Sequence, residues 1–266
     1  MMSRIDWSSN GVIIGLVHFA PLPGSPHYGG ASLSDIEARA AKDRDILIEE
    51  GFDAISFSNE GDRPYLTTAP IETIAIMSRL VTRLTSGISM PFGCGVLIDP
   101  MATLAVARAV GADFVRVSLG VTSGVFGWEA RDAGSLARYR KDIGAEDVDI
   151  LLNVSPHFSS SVDTRDPIEI VQSYVAMVEP DAIQVGGSGS GHAPGVEHVK
   201  SVKKAVPTVP VLTASGTTPD SVGNYLKVCN GVIVGACLKE EGILWNPVDR
   251  TRARAYMDAV RAARGR

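Results

Sequence analysis

The chain has 266 residues, 45% of them hydrophobic and 21% charged, with 25 basic against 30 acidic side chains. Such a composition excludes disorder, collagen-like structure and coiled coil. A net charge of −5 argues against a general nucleic-acid binder, whose phosphate contacts call for a basic excess. At about 150 residues per domain the length suits two small domains or one large α/β barrel. Cys94, Cys229 and Cys237 show no C-x-x-C spacing, which disfavours a disulfide framework or a zinc site and favours a reducing compartment. The apolar stretch 11–22 is too short to span a bilayer, is broken by His18 and lacks a basic leader, so it reads as a core strand. A cytoplasmic protein without stable membrane insertion is expected.

In chain order, short apolar strands alternate with amphipathic helices. A first strand over 12–17 precedes a helix for which Ser34-Asp35-Ile36-Glu37 supplies a capping box. A second strand over 53–57 is followed by a helix opened by Pro70. A third over 93–98 precedes a helix over 100–110, and a fourth over 113–118 is followed by a weaker helical segment over 135–141. Strands five to eight fall at 149–154, 182–185, 210–214 and 231–234, with helices at 167–178, 196–205, 219–227 and 248–263. Asp99-Pro100, Asp166-Pro167 and Thr218-Pro219 each join an N-cap residue to a proline at the first helical position, where its missing N–H costs nothing. Before strands, Gly51-Phe52-Asp53, Gly111-Ala112-Asp113 and Pro180-Asp181 recur as a helix stop followed by strand entry. Eight βα units with no composition break predict a single (β/α)₈ TIM barrel over 1–266, in preference to a doubly wound sheet.

In this fold, sites form where strands end and βα loops begin. The first strand delivers His18 and the loop Pro21-Leu22-Pro23-Gly24-Ser25-Pro26. The second delivers Asn59, Glu60 and Asp62, the third Asp99, the fourth Ser118, and the fifth Asn153, Ser155 and His157. The sixth delivers a glycine-rich loop from Gly186 to His192 that includes Gly187. The seventh delivers Ser215-Gly216-Thr217-Thr218, and the eighth Gly235-Ala236-Cys237-Leu238-Lys239. Paired glycine turns after the last two strands suit a phosphate, because glycine lets the backbone approach the anion and free N–H groups hold it. The plainer reading is that Gly216 and Gly235 make tight turns and Thr218 caps a helix. The loop after the sixth strand is no dinucleotide fingerprint, since the third glycine position falls on His192.

His18, Glu60, Asp62 and Asp99 are the acid–base candidates. Asp99 is equally an N-cap, and Asp62 before Arg63-Pro64 equally a turn with a solvated ion pair. His157 and His192 suit idle loop positions as well as a site. Cys237 reads as a small buried thiol rather than a nucleophile. Lys239, next to Glu240 and Glu241, reads as an exposed cation that adds charge to the anion site rather than as a Schiff-base lysine. The five histidines form no H-x-H or H-E-x-x-H pair, so no cofactor is expected, while a carboxylate-bound Mg²⁺ stays open. Expected substrate and phosphate contacts are Asn59, Asn153, Gly187, Ser215, Gly216, Thr217, Gly235, Ala236 and Lys239.

His18 with Pro21–Pro26, Asn59-Glu60-Gly61-Asp62-Arg63-Pro64-Tyr65, Ser215–Thr218, Gly231–Gly235 with Lys239, and Asn246-Pro247-Val248-Asp249 together resemble the BtpA family, also called BtpA/SgcQ. The resemblance runs over nearly the whole chain and implies a phosphate-binding-type barrel without fixing a reaction; the family is named for a protein needed for photosystem I biogenesis. Three segments depart from the family pattern. Ile98-Asp99-Pro100 stands where the family has Arg-Asn-Asp, Asn153-Val154-Ser155 where it has a Lys-His pair, and Ser118-Leu119-Gly120 where it has Asn-Val. The anion-holding ends are thus kept and the reaction-setting middle altered. The expected function is an enzyme acting on a small phosphorylated, sugar-phosphate-like metabolite as isomerase or lyase, with a homo-oligomer open. The alternatives are a non-catalytic biogenesis factor for a membrane complex such as photosystem I, and a ligand-binding regulator that lost catalysis.

Overall fold

A computed structural model describes residues 4–9, 11–154, 158–189 and 191–265. Ser155, His157 and Ser190 of the expected loops lie outside them. The strands are β1 (Val12–His18), β2 (Ala54–Ser58), β3 (Phe92–Gly95), β4 (Phe114–Ser118), β5 (Gly120–Gly124), β6 (Gly127–Arg131), β7 (Asp149–Asn153), β8 (Ser159–Ser161), β9 (Ala182–Gly186), β10 (Val211–Ala214) and β11 (Gly231–Val234). The helices are α1 (Leu33–Glu49), α2 (Ile71–Thr85), α3 (Pro100–Val110), α4 (Ala133–Asp142), α5 (Pro167–Val178), α6 (Val196–Ala205), α7 (Pro219–Leu226) and α8 (Arg250–Ala263). Eight parallel strands close in the order β1-β11-β10-β9-β7-β4-β3-β2, a (β/α)₈ barrel.

The recurring aspartates explain how the strand entries are fixed. Asp53 accepts the N–H of Ile13 at 2.7 Å, Asp113 that of Phe92 at 2.8 Å and Asp181 that of Ile150 at 2.7 Å. Each carboxylate, placed just before its own strand, satisfies a backbone donor at the start of the neighbouring strand. Asn230 does the same for Val211 at 3.0 Å. These polar pairs hold the lower rim in register.

Alternation along the strands then divides the side chains between two cores. The outer one lies between sheet and helices and takes Ile13, Val17, Ile55, Phe57, Val115, Ile183 and Val232. The inner one stacks Ile14, Ala54, Phe114, Leu151, Ala182, Leu212 and Ile233 inside the barrel. Trp7 plugs it from below, edge-on to Phe114 at 5.4 Å, with its indole N–H donated to Asp149 at 2.7 Å. Phe114 fits because β3 presents Gly93: a β-carbon there would lie 2.3 Å from the Phe114 ring.

Several expectations are corrected. The cap of α1 is Ser32, paired with Asp35, so Ser34 lies inside the first turn. β3 ends at Gly95 rather than 98, because side chains take over its backbone groups: Thr103 accepts the N–H of Val96 at 2.8 Å and Asn59 that of Leu97 at 2.8 Å. The segment after β4 is not a bare loop. β5 and β6 form a hairpin, and β8 joins it in an antiparallel sheet of order β6-β5-β8. The sheet stands over the C-terminal mouth.

Gly93→Ala is expected to cost about 2 kcal/mol in chemical denaturation, as overpacking against Phe114. Combining it with Phe114→Leu should recover a large part of that loss. Additive costs in the double variant would contradict this packing.

Candidate active site

Above the apolar plug the same inward alternation turns polar. On β1, Ile14 is followed by Leu16 and His18. On β2, Ala54 is followed by Ser56 and Ser58, and on β4, Phe114 is followed by Arg116. Leu151 gives way to Asn153, Ala182 to Gln184 and Ile233 to Gly235. Together they line a cavity of about 140 Å³, closed from above by Phe126, Glu129 and Arg131 of the hairpin and by Phe158. Tyr65 packs on Phe126 at 5.4 Å and Phe126 on Phe158 at 6.4 Å, forming an aromatic rim.

His18 and Glu60, two of the four acid–base candidates, line this cavity. The His18 ring is buried, with Nδ1 3.2 Å from the carbonyl oxygen of Leu244. A carbonyl can only accept, so Nδ1 carries the proton and Nε2 keeps its lone pair. Nε2 is buried without a hydrogen-bond partner. Burial, and then the charge of Lys239, push the imidazole well below its ordinary value, so it is neutral at pH 7. A β-carbon built on Gly235 would lie 3.5 Å from that Nε2, which sets the turn after β11 directly against the histidine. Glu60 stands in the 3₁₀ turn Glu60–Asp62 at the end of β2, where burial raises its carboxyl and the charge of Arg116 partly opposes the shift. The Tyr65 hydroxyl lies 3.3 Å from Glu60 Oε1 and orients it.

Asp62 and Asp99 do not line the cavity. Asp62 is buried, accepting the Leu22 N–H at 2.7 Å and the Asn59 amide at 3.0 Å. No solvated pair with Arg63 forms; Arg63 lies over the Trp245 ring at 3.4 Å. Asn59 in turn bridges to Leu97, so Asn59 and Asp62 brace the loops after β1, β2 and β3. Asp99 caps α3 through Met101 and Ala102 and also takes the Ala69 N–H at 3.0 Å. Two of its three acceptor contacts cap α3 and the third ties it to the segment before α2.

Among the expected substrate contacts, Asn153, Ser215, Gly235 and Ala236 line the cavity. Gly216 and Thr217 lie just behind it. Gly216 has φ +68°, and a β-carbon there would fall 2.0 Å from the Ala193 nitrogen, so the space beside it is taken by the loop after β9. Tyr225 pins that loop through the Pro194 carbonyl at 2.6 Å, and Gly187 packs against its return at His192. Thr217 is fully buried, 2.7 Å from the Tyr256 hydroxyl. The N–H groups of Gly216, Thr217, Gly235 and Ala236 meet no acceptor among the described residues.

Lys239 corrects the sequence reading most sharply. It is fully buried and paired with Asp43 at 3.0 Å, while Asp43 also takes the Val248 N–H at 2.8 Å. Successive 3₁₀ turns at Ala236–Leu238 and Glu240–Gly242 turn Lys239 inward and leave Glu240 and Glu241 exposed. Lys239 acts on the site through its field at His18 rather than as a lining cation. Cys237 is half-buried and its thiol is pushed up by burial, which disfavours a thiolate.

Arg116, Gln184, Tyr65 and the buried Glu129–Arg131 pair were not read from the sequence as site residues. A signal existed for two of them. Arg116 and Gln184 are polar residues inside otherwise apolar strand runs, each two positions beyond an inner-core residue. Among the described residues no three His, Cys, Asp or Glu side chains gather to hold a metal ion. No helix among them is long and apolar enough to cross a membrane.

The BtpA family profile matches residues 9–262. The chain belongs to the BtpA family. It is 34% identical over 250 residues to the putative sgc region protein SgcQ of Escherichia coli K12, covering 93% of each chain. It is 31% identical over 252 residues to the photosystem I biogenesis protein BtpA of Synechocystis, covering 93% of this chain and 87% of that one. Among solved structures, a thiamine phosphate pyrophosphorylase from Pyrococcus furiosus superposes with a TM-score of 0.59 at 15% identity, covering 96% of this chain and 98% of that one. A phosphoribosyl anthranilate isomerase from Thermus thermophilus gives 0.59 at 10%, covering 94% and 98%. Similarity this low carries the barrel fold alone.

The His18 assignment has a pH consequence. The folded imidazole lies below 6.5 and the unfolded one near it, so acid favours the unfolded state. The stability advantage of wild type over His18→Asn, which keeps a donor for Leu244, should therefore shrink as pH falls below 6.5. The expected slope is up to about 1.4 kcal/mol per pH unit. Urea unfolding at pH 7, 6 and 5 checks this; a pH-independent difference would contradict it.

Proposed function

We propose that this BtpA-family barrel is an enzyme that moves a proton on a small phosphorylated metabolite, as an isomerase or a lyase. The observation that carries the reading is the buried, unpartnered lone pair of His18 Nε2 against the Gly235 turn, with Glu60 in the same cavity. The free N–H groups at Gly216, Thr217, Gly235 and Ala236 supply donors for a phosphate at that turn.

A neutral imidazole far below its ordinary pKa is a weak base in the empty site. A phosphate bound beside Gly235 brings negative charge close to it and moves that pKa back up, so the substrate's own charge strengthens the base. His18 Nε2 then takes a proton from the carbon next to a carbonyl. Glu60, held toward its neutral form by burial, gives its proton to the carbonyl oxygen on which charge develops. To complete an isomerisation, His18 returns its proton to the former carbonyl carbon while the hydroxyl on the carbon that lost its proton gives its own proton back to Glu60, so the carbonyl moves by one carbon. To complete an elimination, the enol returns its proton to Glu60 and the leaving group departs from the next carbon with the proton held by His18.

The test is exchange of substrate carbon-bound protons in D₂O, followed by ¹H NMR over a panel of phosphorylated ketoses, aldoses and keto acids. Wild type is expected to exchange one proton of its substrate, and His18→Asn to slow this by on the order of 10³-fold while remaining folded by circular dichroism. Equal exchange in His18→Asn, or no exchange across the panel, would overturn the proposal.

A further inference from the structure

Among the described residues, Arg116 is the cavity-lining cation whose charge the mechanism above does not use and that forms no ion pair. Arg131 is paired with Glu129 within the hairpin, and Lys239, which lies outside the lining, is paired with Asp43. Arg116 forms no ion pair within 4.0 Å among the described residues; the carboxyl that acts on it through space is Glu60, which burial holds toward its neutral form. Its Nε donates to Gln184 Oε1 at 2.8 Å, and Gln184 is anchored by donating its amide to the Leu151 carbonyl at 2.6 Å. The guanidinium plane is thereby fixed, while Nη1 and Nη2 have no partner among the described residues and border the cavity. Burial lowers the guanidinium to about 10, which still leaves it charged at pH 7.

Position in the barrel adds the second argument. In the order β1-β11-β10-β9-β7-β4-β3-β2, β4 lies four strands from β11 in either direction. Arg116 thus faces the Gly235 turn from the opposite wall, with His18 and Glu60 on the strands along one side between them. A planar fork whose Nη1–Nη2 edge is free matches a carboxylate bidentately.

We infer that Arg116, held by Gln184, is a carboxylate-binding site on the wall opposite the Gly235 turn, so that the substrate carries a carboxylate at the end away from its phosphate. The inference deepens the proposed function and rests on it for the phosphate at Gly235. The carboxylate subsite is tested separately.

The experiment uses malonate and inorganic phosphate as probes at constant ionic strength, with chloride as control. Their binding to wild type, Arg116→Met and Gly235→Val is measured by calorimetry. Malonate is expected to bind wild type saturably, to lose at least about tenfold in affinity in Arg116→Met, and to bind Gly235→Val as it binds wild type. Phosphate should show the reverse pattern. Labelling of wild-type Arg116 by phenylglyoxal, read by peptide mass spectrometry, should be slowed by malonate and not by chloride, which keeps the test open if Arg116→Met does not fold. Malonate that fails to protect Arg116, or that binds Arg116→Met as tightly as wild type, would overturn the subsite. Should phosphate fail to bind while malonate protects Arg116, the phosphate half of the proposed function falls and the carboxylate site stands.

Discussion

Inside a closed eight-stranded barrel each strand offers one inward position in two, and the interior is narrow enough that a few layers fill it. Everything distinctive about this chain follows from how those inward positions are used. The lower layer is apolar, with Ile14, Phe114, Leu151, Leu212 and Ile233 stacked on Trp7. One step further up, the same strands present Ser56, Arg116, Gln184 and Asn153. The apolar layer supplies a dry floor, and that floor is what shifts the titrating groups above it. Burial over this floor lowers the His18 imidazole, with the charge of Lys239 adding to the shift, and raises the Glu60 carboxyl.

Charge is handled in two ways around this floor. Lys239–Asp43 and Glu129–Arg131 are buried pairs that neutralise themselves and fix local geometry, the first tying α1 to the turn after β11 and the second holding β6 to β5 through Thr122. A buried pair of this kind resists loss of either partner far more than it adds net stability, so its value lies in fixing geometry. Arg116 and His18 are left open instead: one guanidinium edge and one imidazole lone pair face the cavity without a partner. Polar groups left so in a dry interior are costly unless a ligand completes them.

Much of the fold was legible because its signals are local. The proline-capped helices α3 and α5 and the strand β11 fall where the pattern put them, and the aspartates before β2, β4 and β9 proved to be rim locks. The site was legible only in part. His18, Glu60, Asn153, Ser215, Gly235 and Ala236 could be placed by the rule that sites lie at strand ends, but Arg116 and Gln184 sit inside strands, where that rule does not look. Lys239 was misread because its adjacent glutamates suggested solvent, whereas its partner Asp43 lies 196 positions away in sequence. Asp62 and Asp99 have the right residue type at the right loops, yet their carboxylates are taken by backbone N–H groups and, for Asp62, by the Asn59 side-chain amide. The hairpin over 120–131 carries too few apolar residues for periodicity to reveal it, and its place over the mouth depends on pairing with β8 from a later loop.

The proposed proton transfer requires His18 to be a neutral imidazole with its proton on Nδ1 and a free lone pair on Nε2. Nitrogen NMR of histidine-labelled protein at pH 7, with His18→Asn to assign the resonance, measures this directly. The predicted result is one protonated and one unprotonated nitrogen for His18, with Nε2 the unprotonated one and no change on lowering the pH to 6. A doubly protonated ring at pH 7, or a proton on Nε2, would contradict it.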